Sequence, residues 1–149
     1  MWMLVRADAL DGYWDDADGP RVLAACPDTD ERGDPWRWSA RLEGTGPDAV
    51  VGIEADPEFI AVSSTLYSDG FSGTVERSSG HQLVITALAG QVLVAAAEGP
   101  WERWLSPGDV FIAEGEDDET LRISLDRDGT RVSAISLAPK RAAALRWVP

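Results

Sequence analysis

The chain is poor in the residues that most often carry chemistry or covalent support. It has one cysteine, Cys26, in 149 residues. An intramolecular disulfide is therefore excluded, and a domain of this size must rest on its own core. It has one histidine, His81. No set of two or three imidazoles can then converge on a metal within one subunit. Basic residues are scarce: 13 Lys and Arg stand against 26 Asp and Glu, for a net charge of −13. Such a surface repels phosphate backbones and anionic lipid, and no basic stripe interrupts it. Neither a nucleic acid nor a membrane is expected as a partner. No apolar run approaches the roughly 18 residues that cross a bilayer. The start, Met1-Trp2-Met3-Leu4-Val5-Arg6-Ala7-Asp8, lacks a basic segment followed by a long apolar one. No signal peptide is expected, and a cytoplasmic location is. Internal repeats, low-complexity linkers, a Gly-x-Ser-x-Gly elbow and a glycine-rich phosphate loop are all missing. One domain over residues 1–149 is the expectation.

What is present is a globular composition, 44% hydrophobic, cut by Gly and Pro at short intervals. Short apolar or alternating runs lie between the cuts, the pattern of many strands with frequent turns. In residues 36–42, Trp36, Trp38, Ala40 and Leu42 share one face. Residues 59–66 read as a strand. Residues 82–88 and 91–97 flank Ala89-Gly90, a tight hairpin or a sharp bend. Residues 110–113 are short and apolar. Residues 120–125 put Leu121, Ile123 and Leu125 on one face. Asp126-Arg127-Asp128-Gly129 reads as a hairpin turn with Gly where a positive φ is needed. Residues 131–137 change apolar parity between Ala134 and Ile135, which predicts a bulge or burial on both faces. The tail, residues 140–147, fits a short helix or an edge strand. About ten strands in one small chain must close or sandwich to hide their edges. The expected fold class is all-β, a jelly-roll barrel or sandwich with few or no helices.

The second half narrows this. Residues 83–94 run through the Gly90 turn, and Ser106-Pro107-Gly108-Asp109-Val110 feeds a short apolar strand. Glycine at each turn admits a left-handed backbone, and Asp109 can bond its own turn amides. This pattern resembles the cupin superfamily over about residues 75–137. Trp36-Arg37-Trp38-Ser39 and Ser68-Asp69-Gly70-Phe71-Ser72, with the Gly90 turn, are similar to the HutD/Ves branch. Gly70 is followed directly by Phe71, without the proline of that branch. The resemblance implies small-molecule binding, a tie to histidine catabolism and a homodimer through sheet edges, with residues 1–5 adding an edge strand.

Metal cupins place ligands before the glycine turn and after the second motif. Counting from Gly90 and Gly115, those positions hold Arg77, Ser79, Leu83 and Asp118. No metal site and no cofactor are expected there. A carboxylate-only Mg²⁺ or Ca²⁺ site within residues 114–119 stays open beside a solvated acidic loop. His81 is the candidate for acid/base catalysis, since imidazole is the side chain suited to proton transfer near neutrality; an exposed loop histidine beside Gly80 is the plainer explanation. Cys26 ends an apolar run, as a packed small residue would. Seven tryptophans are unusual. Trp36, Trp38 and Trp104 are candidates for the wall of a ligand pocket, against plain core packing. Arg77 is a candidate grip for an anionic ligand. The leading expectation is a metal-independent, cupin-like small-molecule-binding protein, with regulation as one role. The alternatives are a cofactor-free isomerase or cyclase in a Trp-lined pocket, and an acidic inhibitor or immunity module.

Overall fold

The computed structural model describes residues 2–5, 21–24, 38–44 and 48–140. Cys26, Trp36 and the tail beyond residue 140 lie outside these described residues. Among them are twelve strands and no α-helix. The strands are β1 (Trp2–Val5), β2 (Arg21–Ala24), β3 (Trp38–Glu43), β4 (Val50–Ala55), β5 (Ile60–Ser68), β6 (Ser72–Arg77), β7 (Gln82–Ala89), β8 (Val92–Ala96), β9 (Glu102–Leu105), β10 (Val110–Ala113), β11 (Glu119–Leu125) and β12 (Arg131–Pro139). Three antiparallel sheets result, ordered β1-β10-β7-β12-β5, β6-β11-β8-β9 and β2-β3-β4.

The five-stranded sheet is the middle layer, and its strands β7, β10 and β12 are buried on both faces. Leu83 and Ile85 of β7, Phe111 of β10 and Val132 of β12 pack against Val94, Leu105, Leu121 and Ile123 of the four-stranded sheet. Their in-between neighbours Val84, Ile112, Ile135 and Leu137 pack the other way, against Trp38 and Ala40 of β3 and Val51 and Ile53 of β4. A strand covered on both sides reads as a continuous apolar run rather than an alternating one, which explains residues 83–88. It also explains the parity change in β12. Val132 and Ala134 face one core and Ile135 and Leu137 the other. The register shift in β12 lies earlier, between Arg131 and Val132.

From β5 to β12 the chain changes sheet at every connection except β8–β9. That winding is a jelly roll. It corrects the hairpin expected at residues 126–129: β11 and β12 belong to different sheets, and so do β7 and β8. The turn chemistry is as read, with Gly129 at φ 82° and Gly90 at φ 69°, but both turns are corners. A corner and a hairpin need the same left-handed glycine, so residue type alone does not separate them. The two corners touch: a Cβ on Gly90 would stand 2.5 Å from Oγ1 of Thr130. At a third corner, Asp109 accepts the Ser106 amide at 2.8 Å, and Gly108 has φ 87°.

Candidate functional site

The two outer strands β5 and β6 flank one open seam between the sheets. A cleft of about 370 Å³ lies there. β5 contributes Ser63, Thr65 and Tyr67, β6 contributes Thr74, Val75 and Glu76, and Leu83, Ala134 and Ser136 lie on β7 and β12. Strand alternation puts Ser63, Thr65 and Tyr67 on one face of β5. Register places Ser63 opposite Ser136 and Thr65 opposite Ala134. Val75, Leu83 and Ala134 belong to the inner core and form an apolar floor. Tyr67 stacks on Phe71 with ring centres 4.2 Å apart, so the residues at the corner between β5 and β6 hold it. The rim is made of hydroxyls, which both donate and accept, with one carboxylate, Glu76.

One end of the sandwich is stapled by Arg77, which is 4% exposed. Its Nη1 donates to the carbonyl oxygens of Gly115, Ser78 and His81 at 3.0, 3.2 and 3.4 Å. Its Nη2 donates to the Asp117 carbonyl at 2.9 Å and to Glu119 at 3.2 Å. Its Nε donates to the same Glu119 oxygen at 3.3 Å. The other Glu119 oxygen accepts the Trp2 indole N–H. Ser79 N donates to Asp118 Oδ1 at 2.7 Å, and Gly80 N to the Gly115 carbonyl at 2.9 Å. Arg77, Ser79 and Asp118 thus do converge, as the count from the glycines implies, but as a clamp between two loops. A guanidinium, a serine, an aspartate bonded to backbone and the apolar Leu83 do not fit a metal ion. Every N–H of Arg77 has an acceptor within the chain, which leaves none for gripping an anionic ligand.

The other expected residues lie apart from the cleft. Trp38 is buried between the middle and outer layers, where its Nε1 donates to Gln82 Oε1 at 2.8 Å. Gln82 Nε2 in turn donates to the buried Glu114 at 2.9 Å. Trp104 is on β9 and 43% exposed. His81 is half-buried between Gly80 and the start of β7, with its carbonyl under Arg77. Trp36 lies outside the described residues. The acidic run at residues 114–119 is tied down at Glu114, Asp118 and Glu119. Sequence reading missed Ser63, Thr65, Tyr67, Thr74, Glu76 and Ser136. The signal for them was the hydroxyl-rich run Ser63-Ser64-Thr65 inside an otherwise apolar strand.

A jelly roll wound in this way, with glycine corners at Gly90 and Gly108, is a cupin-like fold. No family model matches the sequence, and no curated protein does. The chain is similar in structure to a conserved protein of unknown function, PA5104 from Pseudomonas aeruginosa PAO1. The TM-score is 0.66 at 13% identity, covering 95% of this chain and all of that one. A designed double-stranded β-helix aligns over 54% of this chain at 20% identity, with a TM-score of 0.37. At that identity the PA5104 likeness shows the fold alone. Among the described residues no helix is long and apolar enough to cross a membrane.

Proposed function

We propose that this chain is a metal-independent, cupin-like protein that binds a small molecule in the cleft between β5 and β6. The observation that carries the reading is the lining of that cleft: four aliphatic hydroxyls, a tyrosine and one carboxylate over an apolar floor. Small-molecule sites are concave, largely apolar and fitted with a few polar groups, in volumes of about 300–1,000 Å³. The cleft fits that description in volume and in having an apolar floor, and departs from it in a lining that is mostly polar. Its single charge is negative, and so is the protein as a whole, so the ligand class is neutral or cationic: a polyhydroxylated compound or a small amine. An anion would meet Glu76 without a compensating cation on the lining.

Placement in the HutD/Ves branch belongs to the same proposal. It is supported by Ser68-Asp69-Gly70-Phe71-Ser72, which builds the corner beside the cleft, with Asp69 at φ 54° and Gly70 at φ 74°. A thermal-shift panel tests the ligand class. Monosaccharides, polyols and primary amines form one arm, and carboxylic acids of matched size the other. The first arm is expected to raise the melting temperature, and Glu76→Gln to remove the response to amines. A panel in which only the acids shift the transition would overturn the reading.

A further inference from the structure

We propose that the cavity between the Gly90 corner and the turn of residues 126–130 binds a hard divalent cation, calcium in preference to magnesium. The cavity measures about 480 Å³ and is lined by Gly90 and Gln91 from one corner and by the turn from Asp126 to Thr130 from the other. Both corners carry the chain between the five-stranded and the four-stranded sheet. β7 and β11 both run towards them from the Arg77 clamp, so the cavity lies at the opposite end of the sandwich. It shares no lining residue with the cleft between β5 and β6, and it stands independently of the ligand proposed there.

Two independent observations point to a ligand. The first is charge. Asp126 and Asp128 are exposed, and neither has an ion-pair or hydrogen-bond partner among the described residues. On a chain of net charge −13, such a pair draws cations. The second is a buried oxygen. Thr130 is 2% exposed. Its backbone N donates to the Arg127 carbonyl at 3.2 Å, but its hydroxyl has no partner among the described residues. Buried hydroxyls are nearly always bonded, so an orphaned one calls for a partner that the chain does not supply. Position 90 offers none: the hydroxyl faces the bare α-carbon of Gly90, where a Cβ would stand 2.5 Å from Oγ1. Both residues line the cavity, so the hydroxyl abuts the space a ligand would fill.

The donors are all oxygen. They fall at alternate positions, 126, 128 and 130, the spacing of the first ligands in a calcium loop. Gln91 adds an amide oxygen from the facing corner. Among the described residues no three His, Cys, Asp or Glu side chains gather as a metal site. Zinc, which takes thiolate, imidazole and carboxylate, is not served by such a set, whereas calcium accepts neutral oxygens and completes its shell with water. The cavity has room for that water. Magnesium demands a near-ideal octahedron, which donors divided between two corners do not set. Arg127, on the same lining, offsets one of the two carboxylates. Affinity at the weak end of calcium sites follows, with a Kd of about 0.1–1 mM. An ion held there joins the two crossovers at one end of the sandwich, as Arg77 joins two loops at the other.

Calcium chloride titrated into the full chain tests this, with ionic strength held constant by sodium chloride so that screening of the acidic surface cancels. Followed by nuclear magnetic resonance, the amide shifts should be confined to residues 90–91 and 126–130 and should saturate at one ion per chain. Magnesium should bind about tenfold more weakly. The melting temperature should rise with calcium. That rise should vanish in the double variant Asp126→Asn with Asp128→Asn, whose circular dichroism should match the wild type because both side chains are exposed. Thr130→Ser keeps the buried oxygen and should keep the binding, whereas Thr130→Val should weaken it. Shifts centred on residues 114–119, equal binding of magnesium, an undiminished response in the double variant or in Thr130→Val, or no response up to about 10 mM calcium would overturn the proposal.

Discussion

The two seams of the sandwich are built in opposite ways. At the β1/β9 seam aromatic rings fill the gap. Trp2 packs on Trp101 with ring centres 4.3 Å apart, and Trp101 on Phe111 at 5.3 Å. The Arg103 guanidinium lies 5.4 Å from the Trp101 ring. At the β5/β6 seam the facing residues are Ser63, Thr65, Thr74 and Glu76, which are exposed, and the gap stays open. The same architecture therefore supplies a sealed side that holds the two sheets together and a wet side free to receive a ligand. Ring area removed from water stabilises the first. Hydroxyls keep their hydration in the second and gain little from closing. The tryptophans, which look from the sequence like pocket walls, are divided by this logic: Trp2 and Trp101 seal a seam, and Trp38 anchors the outer layer.

The sharpest test of this contrast is Phe111→Ala. Phe111 is fully buried beneath the aromatic stack, and its truncation should cost about 3–5 kcal/mol in urea denaturation. A loss near zero would show that the stack does not hold the seam. Next comes Arg77→Met. It leaves Glu119 and several loop carbonyls without their donor and frees one end of β6 from the clamp that reaches Trp2 through Glu119. About 3 kcal/mol is expected, at the lower end for a broken buried ion pair, because Glu119 is 18% exposed at its side chain and regains water. If the clamp also sets the width of the open seam, exchange of β6 amides should rise in this variant more than that of β10 amides. The smallest effect is predicted for Thr65→Val in the cleft. An exposed substitution on an edge strand should move stability by no more than about 0.5 kcal/mol, while abolishing whatever thermal shift the polyol arm of the panel produces. A stability loss as large as that of Phe111→Ala would mean that the open seam carries the fold after all.

Much of the fold was legible because burial writes itself into strand parity. The alternation at Trp38, Ala40 and Leu42 matches β3, whose outer-layer core holds Trp38 and Ala40. The parity change at Ile135 left a bulge or burial on both faces open, and β12 is buried on both, as is β7, whose unbroken apolar run at residues 83–88 has the same cause. The glycines at 90, 108 and 129 marked turns because only they take a positive φ without strain. The candidate site was much less legible. Its hydroxyls lie on strands that meet through sheet order rather than sequence, and serine and threonine on an edge strand look like any solvated face. Arg77 shows the limit in a single residue: its charge pointed to a ligand, while its burial and five engaged N–H groups tie it to the loops at residues 78–81 and 115–119.

By itself the amino-acid sequence determined that this chain is all-β, acidic, free of intramolecular disulfides and unable to build a multi-histidine metal centre within one subunit, because composition and period are local properties that one reading of the chain exhausts. Only the tertiary structure decided which turns are corners, which aromatics seal a seam and which strands flank the open one. Those are choices between partners far apart in sequence: Trp2 with Trp101, Arg77 with Glu119, and β5 with β12. The free energies that select them arise only when the sheets come together.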